Sequence, residues 1–182
     1  MLMDINLEFS ASQAVTATAT STNAYDLEVG LAITTTFTKV PPAVIGNATF
    51  FGMDLGMGKG QGTPYVVCKN VNANNAATAT SLTVAFQGAP MNNTALSSGN
   101  RSDLAFVTYI QTGTLGVALL TAGSEFASFA WPQRQLAAAL PRFVQLNYTV
   151  AGSNFTNLTV TADVSLGDDS AQNTLGQYPS NY

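Results

Sequence analysis

Ten acidic residues, one cysteine and no histidine limit the chemistry open to this chain. Histidine is the commonest general acid and base near neutral pH and a usual zinc or copper ligand, so its absence removes most nucleophilic triads together with most transition-metal sites. A glycosidase-like pair needs two carboxylates facing each other across a cleft. The nearest pair, Asp168 and Asp169 in "LGDDSAQ", is adjacent in sequence and follows the last expected strand. Such neighbours read as solvated acids of a polar turn, with calcium binding beside loop carbonyls as the rival use, and Asp54 in a glycine-rich loop reads the same way. "GMGKGQGT" sets Lys59 among glycines, but a phosphate loop needs Ser or Thr directly after the lysine and a helix behind it, and Gly60 follows here. Cys68, inside the apolar run "YVVCKNV", has no partner for a disulfide within the chain and reads as a small buried hydrophobe. No catalytic residue, cofactor or metal follows from these side chains, although the lack of histidine does not by itself forbid catalysis.

The elements that would have to carry a site are strands. Hydrophobic residues make up 46% of the chain and charged residues 9%, against about 25% charged in ordinary domains. Thr, Ser, Asn and Gln take the place of the missing charge. The net charge is -4, and the six basic residues are scattered singly. A row of phosphates therefore has nothing to meet, which argues against nucleic-acid binding. The start, "MLMDINLEFS", lacks the basic region of a secretory signal, and no apolar run approaches the roughly 20 residues that span a bilayer, so neither export nor a membrane is expected.

In "QAVTATATSTNAYDL" (13–27) a period of two predicts a strand, with Val15, Ala17 and Ala19 inward, Thr16, Thr18 and Thr20 outward, and Ser21-Thr22-Asn23 opening a turn. Further strands are expected at 31–38, 65–71, 82–87, 104–110, 125–130, 143–150 and 158–166, and one or two helical turns at 133–140, closed by Pro141. Trp131 is expected to cap the core. Short strands with polar turns between them predict an all-β, single-domain jelly roll or antiparallel β-sandwich of about eight strands. Residues 1–12 read as an N-terminal arm, 13–170 as the sandwich with a glycine-rich loop at 52–64, and 171–182 as a C-terminal tail with Tyr178, Pro179 and Tyr182.

The two ends also carry a resemblance. Asp4, Leu7, Phe9-Ser10, Gln13-Ala14-Val15-Thr16, Thr18, Ser21-Thr22-Asn23 and Asp26-Leu27 at one end are similar to the jelly-roll cement (decoration) proteins of tailed-bacteriophage capsids, of the Bordetella phage kind. So are Arg142-Phe143, Leu146-Asn147-Tyr148-Thr149-Val150, Gly152, Thr159, Ala162, Leu166 and Tyr178-Pro179-Ser180 at the other. "YVVCKNV", "SLTVAFQGA" and "LLTAG" fall where that family has its central strands, while residues 31–62 are longer than its usual segment and "QYPSNY" replaces its usual ending.

The resemblance implies a non-enzymatic structural protein made in the host cytoplasm and carried on the outer capsid surface of the virion. Its partners would be the major capsid protein, whose neighbouring subunits it bridges, and further copies of itself, a dimer being favoured over a trimer. The contacts are expected at Leu7 and Phe9 of the arm, Met53 and Met57 of the loop, and Tyr178, Pro179 and Tyr182 of the tail. A rival reading is a carbohydrate-binding or tail-fibre receptor-binding jelly roll, because one fold hosts many functions. It would gather exposed aromatic rings with carboxylates or amides on one concave face. A calcium-dependent glycan depolymerase comes third and would need Asp54, Asp168 and another acid to converge on a metal.

Overall fold

The longest strands follow from the plainest alternation. "ATSLTVAFQGA" and "FVQLNYTVAG" form β6 (Ala79–Ala89) and β10 (Phe143–Gly152), paired antiparallel from Phe143 opposite Ala89 to Gly152 opposite Ala79. That register sets Leu146 opposite Phe86, Tyr148 opposite Val84 and Val150 opposite Leu82, so one face of the pair is apolar. In the computed structural model, which describes residues 8–26, 31–33, 35–36, 64–70, 79–130 and 141–166, this face forms one wall of the core.

Nine further strands are assigned among the described residues: β1 (Glu8–Ala14), β2 (Ala19–Thr20), β3 (Ala24–Asp26), β4 (Leu31–Ile33), β5 (Pro64–Asn70), β7 (Val107–Gln111), β8 (Leu115–Gly116), β9 (Glu125–Ala130) and β11 (Thr159–Leu166). One sheet runs β1-β11-β5-β9 and the other β4-β3-β10-β6-β7, with β2 beside β10 and β8 beside β6. All of these pairings are antiparallel. With β2, β4 and β8 set aside, β1 pairs with β11, β3 with β10, β5 with β9 and β6 with β7. The chain is thus one long hairpin rolled into two sheets, which is the jelly-roll winding. The expected all-β sandwich is present, with more strands than the expected eight because four segments are only two or three residues long.

Between the sheets Phe9, Val66, Cys68, Leu82, Phe86, Phe129, Leu146, Tyr148, Phe155 and Leu158 pack into one cluster. Each large apolar side chain removed from water contributes about 1.5–3 kcal/mol, so this cluster is the main source of stability. A second, smaller cluster lies beyond the second sheet, where Ala24, Ala89 and Phe143 meet Ala95 and Leu104. The cover is α1 (Asn93–Ser98), started by Asn92, whose side chain accepts the Ala95 N–H, and ended by Gly99 at φ 70. These are standard helix start and stop residues.

The alternating segment folds differently from the strand predicted for it. After Ala14 the chain leaves the first sheet and reaches the second only at Ala19, so residues 15–18 are a crossing between sheets. Val15 is buried, but Ala17 is exposed like Thr16 and Thr18. Threonine still explains the crossing: the Val150 N–H donates to Thr18 Oγ1 at 3.0 Å, so a hydroxyl replaces a missing ladder bond. The helix expected at 133–140, the loop at 52–64 and the tail at 171–182 lie outside the described residues.

Candidate functional site

Only one of the expected contact residues falls in the described part, and its place is a correction. Phe9 is fully buried in the main cluster, edge-on to Tyr25 with ring centroids 4.9 Å apart and to Phe86 at 6.1 Å. The reason lies in β1. The strand slips register against β11 between Glu8 and Ser10 and again before Gln13, with Ser12 at φ 48. A bulge of this kind lets consecutive residues turn the same way, and Phe9 and Ser10 are both buried. Residues 8–12, read from sequence as arm, are therefore sheet. Leu7, Met53, Met57, Tyr178, Pro179 and Tyr182 lie outside the described residues, as do Asp54, Trp131, Asp168 and Asp169.

The polar groups near β1 form a lacing between the sheets. Ser10 donates to Gln13 Oε1 at 2.8 Å, so the Tyr148 hydroxyl, 2.9 Å away, must donate to Ser10. Gln13 Oε1 also accepts the Thr22 N–H, its Nε2 donates to the Thr20 carbonyl, and Asn23 Nδ2 donates to the Glu8 carbonyl, each at 2.8 Å. Ser21 accepts the Leu146 N–H at 3.0 Å and donates to the Asn23 carbonyl at 2.6 Å. The Ser21-Thr22-Asn23 cluster is thus the corner that ties β1 to β10. Cys68, buried nearby, has its thiol pushed far above the usual range by burial and then by the Asp163 and Glu125 charges. It is a packing residue and not a nucleophile at neutral pH.

A row of polar side chains crosses the outer face of the second sheet. Gln145 on β10 stands opposite Gln87 on β6, which stands opposite Thr108 on β7. Gln145 Nε2 donates to Gln87 Oε1 at 2.9 Å, and Gln87 Nε2 to Thr108 Oγ1 at 3.3 Å. Gln145 Oε1 accepts Arg101 Nε at 2.9 Å and Nη2 at 2.7 Å, while the same guanidinium donates to the Ser21 and Thr22 carbonyls at 2.9 and 3.1 Å. Every polar atom named in this row has a partner, and Gln145 is itself buried. The row holds the sheet together and offers a ligand little. Sequence reasoning missed it; the available signal was the alternation that puts Gln145, Asn147 and Thr149 on one face of β10 and Thr83 and Gln87 on one face of β6.

At the far side of that sheet the surface changes. The edge formed by β7, Thr112 and β8 runs along β6, with the Thr112 N–H donating to the Val84 carbonyl and Thr112 Oγ1 accepting the Val84 N–H. Val107, Ile110 and Leu119 are the large apolar side chains exposed among the described residues, and no charged residue occurs between Asp103 and Glu125. Among the described residues no three carboxylates or thiols gather as a metal site would require. The arrangement suits contact with protein better than chemistry on a small molecule.

A jelly-roll sandwich with a laced interior and an uncharged edge is an architecture that structural and binding modules share with enzymes, so the fold alone does not set the function. The comparison with known families is more specific: the model of the Bbp16 family, a Bordetella phage protein family, matches residues 9–164, and the chain belongs to that family. The match runs from Phe9 in β1 to Val164 in β11, the described sandwich except for the first residue of β1 and the last two of β11. No curated protein matches the chain. Membership points to a structural protein of a phage and implies a component of the virion.

Proposed function

We propose that the protein is a capsid cement protein, which binds the outer surface of the expanded shell and bridges neighbouring major capsid protein subunits. The observation that carries this reading is the family match over both sheets of the jelly roll. The physical character of the surface supports it. With charged residues at 9% of the chain, few ions must be stripped of water when faces meet, and a dried, unpaired ion costs several kcal/mol.

Cement of this kind acts by linkage. A copy that binds the expanded shell more tightly than the unexpanded one shifts the balance toward expansion by its differential affinity, and many symmetric copies multiply the effect. Leu7, Met53, Met57, Tyr178, Pro179 and Tyr182 are the proposed shell contacts; Phe9 serves the fold instead. The test is co-sedimentation of purified protein with expanded shells and with unexpanded procapsids of its own phage. Saturable binding to expanded shells alone supports the reading. Binding to neither overturns it and turns attention to glycan receptors.

A further inference from the structure

Arg101 joins parts of the chain that are far apart in sequence. Its guanidinium donates to Gln145 of β10 and to the Ser21 and Thr22 carbonyls in the corner before β3. Its backbone N–H donates to the Thr35 carbonyl at 2.9 Å, and Asn100 beside it bridges antiparallel to Thr36. The residue is itself held from behind. It opens the 3-10 turn Arg101–Asp103, whose Asp103 carbonyl accepts Asn92 Nδ2 at 3.0 Å, and Ala95 and Leu104 on either side pack in the smaller core. Thr35 and Thr36 are both exposed, just past the Ile33–Ala24 pair that closes β4. Residues 37–63, with the proposed shell contacts Met53 and Met57, come next, and by Pro64 the chain has entered the first sheet opposite Leu166.

We propose that Arg101 is a positioning residue, which latches residues 35–36 to the second sheet and so fixes where the following stretch leaves the sandwich to meet the shell. The latch stands on its own; its use at the shell rests on the capsid reading. With the side chain anchored on Gln145 and the corner, the Arg101 N–H is held in place for Thr35. The residue type fits the task. A guanidinium is a flat fork that can hold an amide oxygen with two nitrogens and still reach the carbonyls, which an ammonium cannot match. Bonds from an ion are also roughly twice as strong as neutral ones. Burial pulls the Arg101 pKa down to about 10, so the charge persists at neutral pH. Without that hold, an exposed segment opens locally at little cost while the sheets behind it stay shut.

The experiment combines hydrogen exchange with binding to expanded shells, on the full chain, for the wild type, Arg101→Met, Arg101→Lys and a control, Thr108→Val, at the other end of the polar row. In the wild type the Arg101 amide should be protected, because it donates to Thr35. Arg101→Met keeps the aliphatic stem but no donor. Exchange at residues 31–36 should then quicken about tenfold or more, while residues 159–164 of β11 stay unchanged. Shell binding should weaken by a similar factor. Arg101→Lys should fall between, and Thr108→Val should alter neither readout. If Arg101→Met does not fold, Arg101→Lys and the wild-type amide carry the test. An unprotected wild-type amide, unchanged exchange at 31–36, or the same quickening at 31–36 and 159–164 would overturn the latch. Faster exchange at 31–36 with undiminished shell binding would overturn the positioning role. A wild type that binds no shell removes the capsid reading and that role with it, whereas exchange still decides the latch.

Discussion

Arg142 meets Asp26 fork to fork, Nε donating to Oδ1 at 2.9 Å and Nη2 to Oδ2 at 2.8 Å, in a contact that joins β3 to the start of β10. The side chains are 7% and 0% exposed, and the guanidinium also lies 5.0 Å from the centre of the Phe143 ring. Two bonds in parallel fix the angle between the partners as well as their distance. The pair therefore sets how β3 seats against β10 beside the smaller core.

Asp26→Ala strands a buried guanidinium and is expected to cost about 3–5 kcal/mol, whereas replacing both partners by apolar residues, Asp26→Leu with Arg142→Met, should cost far less. Urea denaturation of the single and double variants measures the difference. Equal losses would mean that the pair contributes net stability instead of only compensating for its own burial.

Phe9→Ala should cost about 3–5 kcal/mol, as for other large-to-small changes in a packed core. Deleting residues 1–7 keeps all of β1 and is expected to leave a domain that still unfolds in one cooperative urea transition. Deleting residues 1–12 removes Phe9 and Ser10 from the interior and is expected to unfold the domain. A folded 13–182 fragment would show that β1 is dispensable and return its residues to the role of an arm.

These outcomes mark where the sequence was legible. Strands β6, β10 and β11 were readable because alternation covers most of their length, and β9, "EFASFA", because an apolar and aromatic run follows the turn residues of "TAGS". In β1 the pattern is hidden by bulges: Phe9 and Ser10 are consecutive and both buried, so no period of two remains to be found. The opposite error occurred at 15–18, where alternation was present but the segment crosses between sheets. Helix α1 was passed over because "MNNTALSSGN" is rich in turn residues, although Asn92 and Gly99 are its start and stop. The polar row through Gln87 and Gln145 depends on β6–β10 register, which one strand cannot disclose.

The interior sets a pH limit. Burial holds the Cys68 thiol and the Tyr148 hydroxyl well above their ordinary values of 9.0 and 10.0, with nearby charge as a further cause for both. Both are neutral when folded, so above about pH 9 the unfolded chain releases protons that the folded chain keeps. Their contribution is complete below the ordinary values and is lost as pH rises beyond them. Denaturation midpoints should therefore fall between pH 9 and 11, and less steeply in Cys68→Ala. Ellman's reagent at pH 8 should label Cys68 only after unfolding; prompt labelling of the native protein would refute its inertness.

Gly88 is required for space. A methyl there would collide with the Tyr109 ring and stand 2.7 Å from Pro141 Cβ. The ring can swing, but Pro141 is held by its own backbone, so the collision cannot be relieved on both sides. Gly88→Ala is expected to cost about 1–3 kcal/mol, the usual penalty for overpacking. The cost has a local signature as well. Tyr109 is the β7 side chain that packs on the main core, between exposed Thr108 and Ile110. Displacing its ring should loosen β7 while β10 and β11 keep their pairing. Hydrogen exchange should then quicken at 107–111 and stay unchanged at 143–150. Uniformly faster exchange would mean that β7 opens only with the whole domain, and an unchanged midpoint would mean that the ring yields freely.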